Sequence, residues 1–212
     1  MIKKNKALFI ISCVIILIPA VIGLVLWDSL PESMPFHWNA QGEVDGYASK
    51  PVAVLGGPAI FLAAHVLCVA VTGADPKNKS IEGKPVWLVM MLMPVVSLAV
   101  GALTIATALE YKIDVNVILP LVMGGLFMII GNYLPKCKQN HTIGIKVPWT
   151  LASEENWNRT HRFAGIVWVI CGALVMATSF FGSVYVMLGI LLTMAFVPMI
   201  YSYVIYKKSD KE

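Results

Sequence analysis

The chain has 212 residues, 58% of them hydrophobic and only 13% charged, with a formal net charge of +4 and a mean hydropathy of +0.77. So few charged groups cannot coat a water-soluble globule of this size, and the solvent for most of the surface is lipid. The basic balance does not signal DNA or RNA binding, because the Lys and Arg residues border apolar runs, where membrane orientation accounts for them.

A bilayer core of about 30 Å takes about 20 apolar residues in a helix rising about 1.5 Å per residue. Apolar runs of that order cover 7–27, 52–72, 86–109, 117–134, 163–181 and 184–206, which predicts an all-α, polytopic integral membrane protein with six transmembrane helices. The first run follows Lys3, Lys4 and Lys6 and lacks a small-x-small cleavage site before Asp28. At about twice the length of a signal-peptide core, it is expected to stay as the first helix. Phe181-Gly182-Ser183 separates the last two runs so tightly that an antiparallel helical hairpin is expected. Cys13, Cys68 and Cys171 fall inside apolar runs and Cys137 lies between Lys136 and Lys138. Neither a disulfide framework nor a C-x-x-C metal pair is expected from these spacings.

Lys and Arg alternate by segment. They number 3 before the first run, 3 at Lys77, Lys79 and Lys84, 5 at Lys136, Lys138, Lys146, Arg159 and Arg162, and 3 at Lys207, Lys208 and Lys211. Only Lys50 and Lys112 fall on the other side, a division of 14 to 2. It predicts a multi-pass protein of the cell membrane with N- and C-termini inside. The chain then divides into an N-terminal two-helix region, 1–72, with an extracellular loop over 28–51, and central helices three and four over 73–134. A cytoplasmic motif loop, 135–162, and a C-terminal helical hairpin with a short basic tail, 163–212, complete it.

Pro19, Pro58, Pro94, Pro120 and Pro198 lie in or near the runs and are read as helix kinks, which a bundle tolerates because neighbours satisfy the freed carbonyls. Gly124 and Gly131, Gly165 and Gly172, and Gly182 and Gly189 are pairs seven apart, placing small residues on one helical face for close packing. His65 is the sole ionisable side chain well inside a run. Such residues are functional candidates by default. The structural reading is preferred here, since no acid, His or Arg lies at comparable depth to build a proton relay.

Two loops are not filler. In Leu30 to Lys50, Pro31 and Pro35 stiffen an extended backbone while Gln41-Gly42 and Asp45-Gly46 supply turns, so the loop is expected to fold back as a compact cap. Phe36, Trp38 and Tyr47 either anchor it at the headgroups or, with His37, Asn39 and Asp45, form a recognition surface for an extracellular ligand. Glu43, His37 and Asp45 together offer one good nitrogen ligand, so no metal is expected.

The second loop, about 27 residues long, exceeds a simple hairpin connection. Ser153 followed by Glu154 and Glu155 reads as an N-cap with acids in the first turn. A helix starting there places Trp157, His161 and Ala164 on one face and runs on into the fifth span. This is either an interfacial helix with snorkelling Arg159 and Arg162 or, with Trp149, Trp157, Arg159, His161 and Arg162, a docking face for a cytoplasmic partner. Ser153, Glu155 and His161 do not make a convincing triad, since Ser153 serves as a cap and no oxyanion-hole sequence accompanies it. An enzyme is not expected, nor any cofactor.

These loops carry a resemblance. Leu30 to Lys50 contains LP-x-x-x-P-x-HWN-x-x-G-x-x-DGY-x-SK. Gly131-Asn132-Tyr133-Leu134-Pro135-Lys136, Gly144-Ile145-Lys146, Pro148-Trp149-Thr150-Leu151 and Thr160-His161-Arg162 follow in the second. Together they resemble the SdpI-type immunity and signalling membrane proteins of Gram-positive bacteria. The resemblance implies a six-helix protein that confers resistance to a secreted toxic peptide and recruits an ArsR-like cytoplasmic repressor to the membrane. Its implied partners are the lipid bilayer, an extracellular toxin peptide and that repressor, with no direct contact to nucleic acid. The competing readings are a small membrane transporter, for which His65 would be essential, and a general envelope-stress protein with no toxin partner.

Overall fold

A computed structural model describes residues 4–78, 84–180 and 184–209. Six helices long and apolar enough to cross a membrane are present among these residues. The spans are α1 (Lys6–Val25), α2 (Gly57–Ala74), α3 (Lys84–Ala108), α4 (Val115–Tyr133), α6 (Glu154–Thr178) and α7 (Val184–Ser209), with a short α5 at Pro148–Ala152. Helix runs through Pro19, Pro94, Pro120 and Pro198. The turn at Phe181-Gly182-Ser183 lies outside the described residues, as do Lys3, Lys79 and Lys211 of the charge pattern.

The chain forms two compact units, residues 1–73 with 82–118, and residues 74–81 with 119–212. In the first unit α1 packs along α3. Pro19 has no N–H to give to the Ile15 carbonyl; one residue further on, the Ser97 hydroxyl of α3 donates to the Ile16 carbonyl at 2.9 Å. Gly101 lies directly under the Pro19 ring, where a Cβ would collide with it. The second span opens with a π-helical turn at Val52–Gly56. Pro58 explains it: without its N–H the Val54 carbonyl loses its usual partner and the preceding turn widens.

His65 is fully buried. Its Nε2 lies 2.8 Å from Ser12 Oγ and its ring stacks on Phe9 at 5.8 Å. Ser12 Oγ donates its one proton to the Phe9 carbonyl at 2.7 Å, so the imidazole is the donor in the Ser12 contact and carries its proton on Nε2. This polar link ties α1 to α2.

The second unit is organised on a glycine seam. A Cβ on Gly172 would sit 2.7 Å from the Gly124 carbonyl, and one on Gly165 would sit 2.8 Å from the Gly131 carbonyl. The two heptad pairs therefore face each other across antiparallel α4 and α6, backbone against backbone. Gly189 differs: a Cβ there meets nothing within 4 Å, so its spacing from Gly182 marks no packing seam among the described residues. α7 packs on α6, with Trp168 Nε1 donating to the Met194 carbonyl at 3.2 Å.

Candidate functional site

The loop after α1 folds back as a β-hairpin, β1 (Ser33–Trp38) and β2 (Val44–Ser49), paired antiparallel from Ser33↔Ser49 to Trp38↔Val44. Its turn is built by Asn39, whose Oδ1 accepts from the amides of Gln41 at 2.9 Å and Glu43 at 3.0 Å. Gly42 adopts φ +77°, a conformation that suits glycine. The tip is docked by Asn116 at the start of α4, whose amide donates to the Gln41 carbonyl at 2.7 Å.

At the base, Lys50 is only 5% exposed. Its ammonium meets Glu32 at 2.9 Å, the Trp27 carbonyl at 3.2 Å and the Trp27 ring at 5.3 Å. One buried cation thus clamps both ends of the hairpin to the end of α1. Met34, fully buried with Leu30, Ala53, Val54 and Ile105, holds the inner face on the first unit's core.

Period-two alternation turns Asp45, Tyr47 and Ser49 outward. His37 Nδ1 meets Asp45 Oδ1 at 2.5 Å in the open, where a carboxylate fixes the ring and leaves Nε2 free to face a ligand. Gly46 permits this pair, since a Cβ there would fall 2.8 Å from His37 Cβ. Phe36 and Tyr47 are exposed, Asn39 is half-buried in the turn, and the indole N–H of Trp38 is buried without an acceptor among the described residues.

The second segment is a knot of side-chain to backbone bonds rather than a loop lying on a surface. Asn140 Oδ1 accepts from the amides of Thr142 at 2.8 Å and Ile143 at 2.6 Å, while its amide nitrogen donates to the Lys138 and Ile143 carbonyls. Gln139 donates at 2.9 Å to the Thr150 and Leu151 carbonyls and accepts from Lys77 Nζ at 3.0 Å. Asp75, just past α2, takes the His141 amide at 2.7 Å, the Lys77 amide at 3.0 Å and the Thr142 hydroxyl at 3.3 Å. Burial pushes the Asp75 carboxyl up, but these donors and the neighbouring His141 ring outweigh it and hold the carboxyl below its ordinary value.

Ser153 caps α6, its side chain accepting from the Asn156 amide at 3.2 Å. Trp157 and His161 lie one turn apart, stacked at 4.0 Å and fully buried. The Trp157 indole N–H donates to the Cys137 carbonyl at 2.7 Å. His161 Nε2 accepts from the Ile145 amide at 3.0 Å, so the proton sits on Nδ1 and is given to the Trp157 carbonyl at 2.8 Å. Gly144, at φ +115°, lets the backbone cross this ring; a Cβ there would collide with His161. Trp149 is half-buried, its N–H on Ser202 Oγ at 2.5 Å and its ring beside Tyr203 and Tyr206. Arg159 and Arg162 face outward, Arg159 pairing with Glu155 at 3.3 Å.

Both segments lie within regions shared with known proteins. Residues 14–62, which include the whole hairpin, match a Domain of unknown function (DUF1648), and residues 136–202 match the SdpI/YfhL protein family. The chain is 30% identical over 210 residues to Immunity protein SdpI of Bacillus subtilis (strain 168), covering 97% of each protein. The chain belongs to the SdpI/YfhL family. No solved structure matches it. With six spans and this relationship, it is a multi-pass protein of the cell membrane.

In this SdpI/YfhL protein the six hairpin residues singled out in the sequence gather on one small hairpin. The five of the second segment separate: Arg159 and Arg162 are exposed, Trp149 leans on α7, and Trp157 with His161 fills the interior. Any contact of Trp157 and His161 with a partner is therefore indirect, through the segment they hold. The roles of Lys50, Asn116, Asp75 and Asn140 are not readable from the sequence. Asp75 carried a faint signal, an acid directly before Pro76 at a helix end, while the others depend on contacts formed only in the fold.

Proposed function

We propose that the chain is a membrane immunity protein that confers resistance to a secreted toxic peptide. The observation that carries this reading is the similarity to an immunity protein over 97% of both chains, with both motif segments inside the matched regions. The hairpin faces outward, in keeping with the 14-to-2 charge division, and offers Phe36, Tyr47, Trp38 and the His37–Asp45 pair to the peptide. The segment from 136 to 162 lies on the cytoplasmic side and offers Arg159, Arg162 and the edge of Trp149 to an ArsR-like repressor. Trp157 and His161 position it. Peptide held outside favours one arrangement of the helices, and the repressor binds that arrangement better; by linkage, repressor binding then tightens the peptide's.

The test is made in the protein's own host. Cells deleted for the gene are grown beside their undeleted parent. The deletant is expected to be outcompeted, with the wild-type gene restoring survival and a Trp38→Ala, Asp45→Ala double variant failing to do so at matched membrane abundance. Loss of one contact anchor commonly costs about 2 kcal/mol, about thirtyfold in affinity. A deletant that grows as well as the complemented strain would remove the immunity reading.

A further inference from the structure

Beneath the hairpin, between β1, the opening of the second span and α3, lies a cavity of about 150 Å³. Its walls are almost wholly apolar, with Met34, Phe36, Phe61 and Ile60 among them. Its polar side chains are Ser97, which already donates to the Ile16 carbonyl, and Thr104, against twelve apolar or glycine residues, so the space suits a mainly apolar guest.

Gly57 lines this cavity. Its φ of −56° and ψ of −60° are ordinary helical values that every residue adopts, and a Cβ there would meet nothing within 4 Å. Neither the backbone nor close packing requires glycine at this position. What the missing side chain leaves is the open space itself.

We propose that this cavity is the anchor pocket of the peptide site, taking one aromatic or branched aliphatic side chain of the toxic peptide. The proposal rests on the immunity reading given above. An apolar cavity of about 150 Å³ holds a guest the size of one benzene ring, whereas a lipid chain extends through about half of a 30 Å core and needs a longer slot. Phe36 supplies continuity: it lines the cavity and is also 46% exposed on the strand offered to the peptide.

The experiment uses Gly57→Leu to fill the pocket and Gly125→Leu as its control. Gly125 lies on α4, lines no part of the cavity and likewise leaves a Cβ with nothing within 4 Å. Thermal midpoints of the purified full-length proteins in detergent are measured with benzene as the probe. Protection is measured by co-culture with the undeleted parent at matched membrane abundance. Benzene is expected to raise the midpoint of the wild type and Gly125→Leu but not of Gly57→Leu, and Gly57→Leu cells are expected to leave at least about tenfold fewer survivors. Wild-type protection by Gly57→Leu, or the same benzene response in it as in the wild type, would overturn the pocket while leaving the immunity reading intact. Failure of the wild-type gene to protect would overturn both.

Discussion

Replacing Trp157 by Ala is expected to lower the thermal midpoint of the purified protein more than any other single change in the second segment. The side chain is completely buried, and removing a buried Trp typically costs about 3–5 kcal/mol in transfer and cavity terms. The Cys137 carbonyl, which takes the indole N–H at 2.7 Å, would be left without that donor, a further loss of about 1–3 kcal/mol if it stays buried. His161 would lose the ring it stacks on, and with it the support that holds the Ile145 amide. Trp157→Phe, keeping a ring but not the N–H, should fall between. Arg159→Ala is the contrast: its exposed i,i+4 pair with Glu155 is worth about 0–1 kcal/mol, so its midpoint should scarcely move. Equal midpoints for Trp157→Ala and the wild type would show that the knot around residues 137–145 does not depend on this ring.

The other large effect is expected at the glycine seam. A Cβ on Gly165 would stand 2.8 Å from the Gly131 carbonyl and 2.8 Å from the Pro135 ring, and neither can rotate aside. Overpacking in a close-packed core costs about 1–3 kcal/mol, more where backbone must move. Leu at this position would have to part α4 from α6 along their contact. Gly165→Leu is therefore expected to reduce membrane abundance severely, with Gly172→Leu behaving alike because its Cβ meets the Gly124 carbonyl at 2.7 Å. Gly189→Leu serves as control, since nothing lies within 4 Å of a Cβ there. Abundance is read by quantitative immunoblotting of membranes. Normal levels of Gly165→Leu would contradict the seam.

The contrast among these glycines shows what a sequence of this kind discloses. Spacing by seven puts Gly124 with Gly131 and Gly165 with Gly172 on single faces, and they do meet. Gly182 lies outside the described residues, and at Gly189 a Cβ meets nothing within 4 Å, because spacing says which residues share a face and not what covers it. The limit recurs at Trp157, His161 and Ala164. Their common face follows from four- and seven-residue separation, yet whether it meets a partner or the interior depends on how residues 137–145 fold over it, which Gly144 and Asn140 decide.

The spans were legible because about 20 apolar residues per crossing is a strong signal, and the turn residues around Gly42 and Gly46 announced a chain doubling back. Two six-residue strands, one carrying Pro35, left too weak an alternation to be read as β structure. In the sequence Lys50 is a loop charge on the outer side. Its burial against Trp27 and Glu32 requires the end of α1 and the hairpin base to come together, which no local pattern encodes.

The most direct test of the central claim, an outward hairpin and an inward second segment, is cysteine accessibility. In a chain whose four native cysteines have been replaced, Ala40→Cys at the hairpin turn and Lys138→Cys in the second segment, both at exposed positions, are treated in intact cells with a membrane-impermeant maleimide. The expected result is labelling of Ala40→Cys in intact cells, with Lys138→Cys labelled only after the membrane is opened. Labelling of Lys138→Cys in intact cells, or protection of Ala40→Cys until lysis, would contradict it.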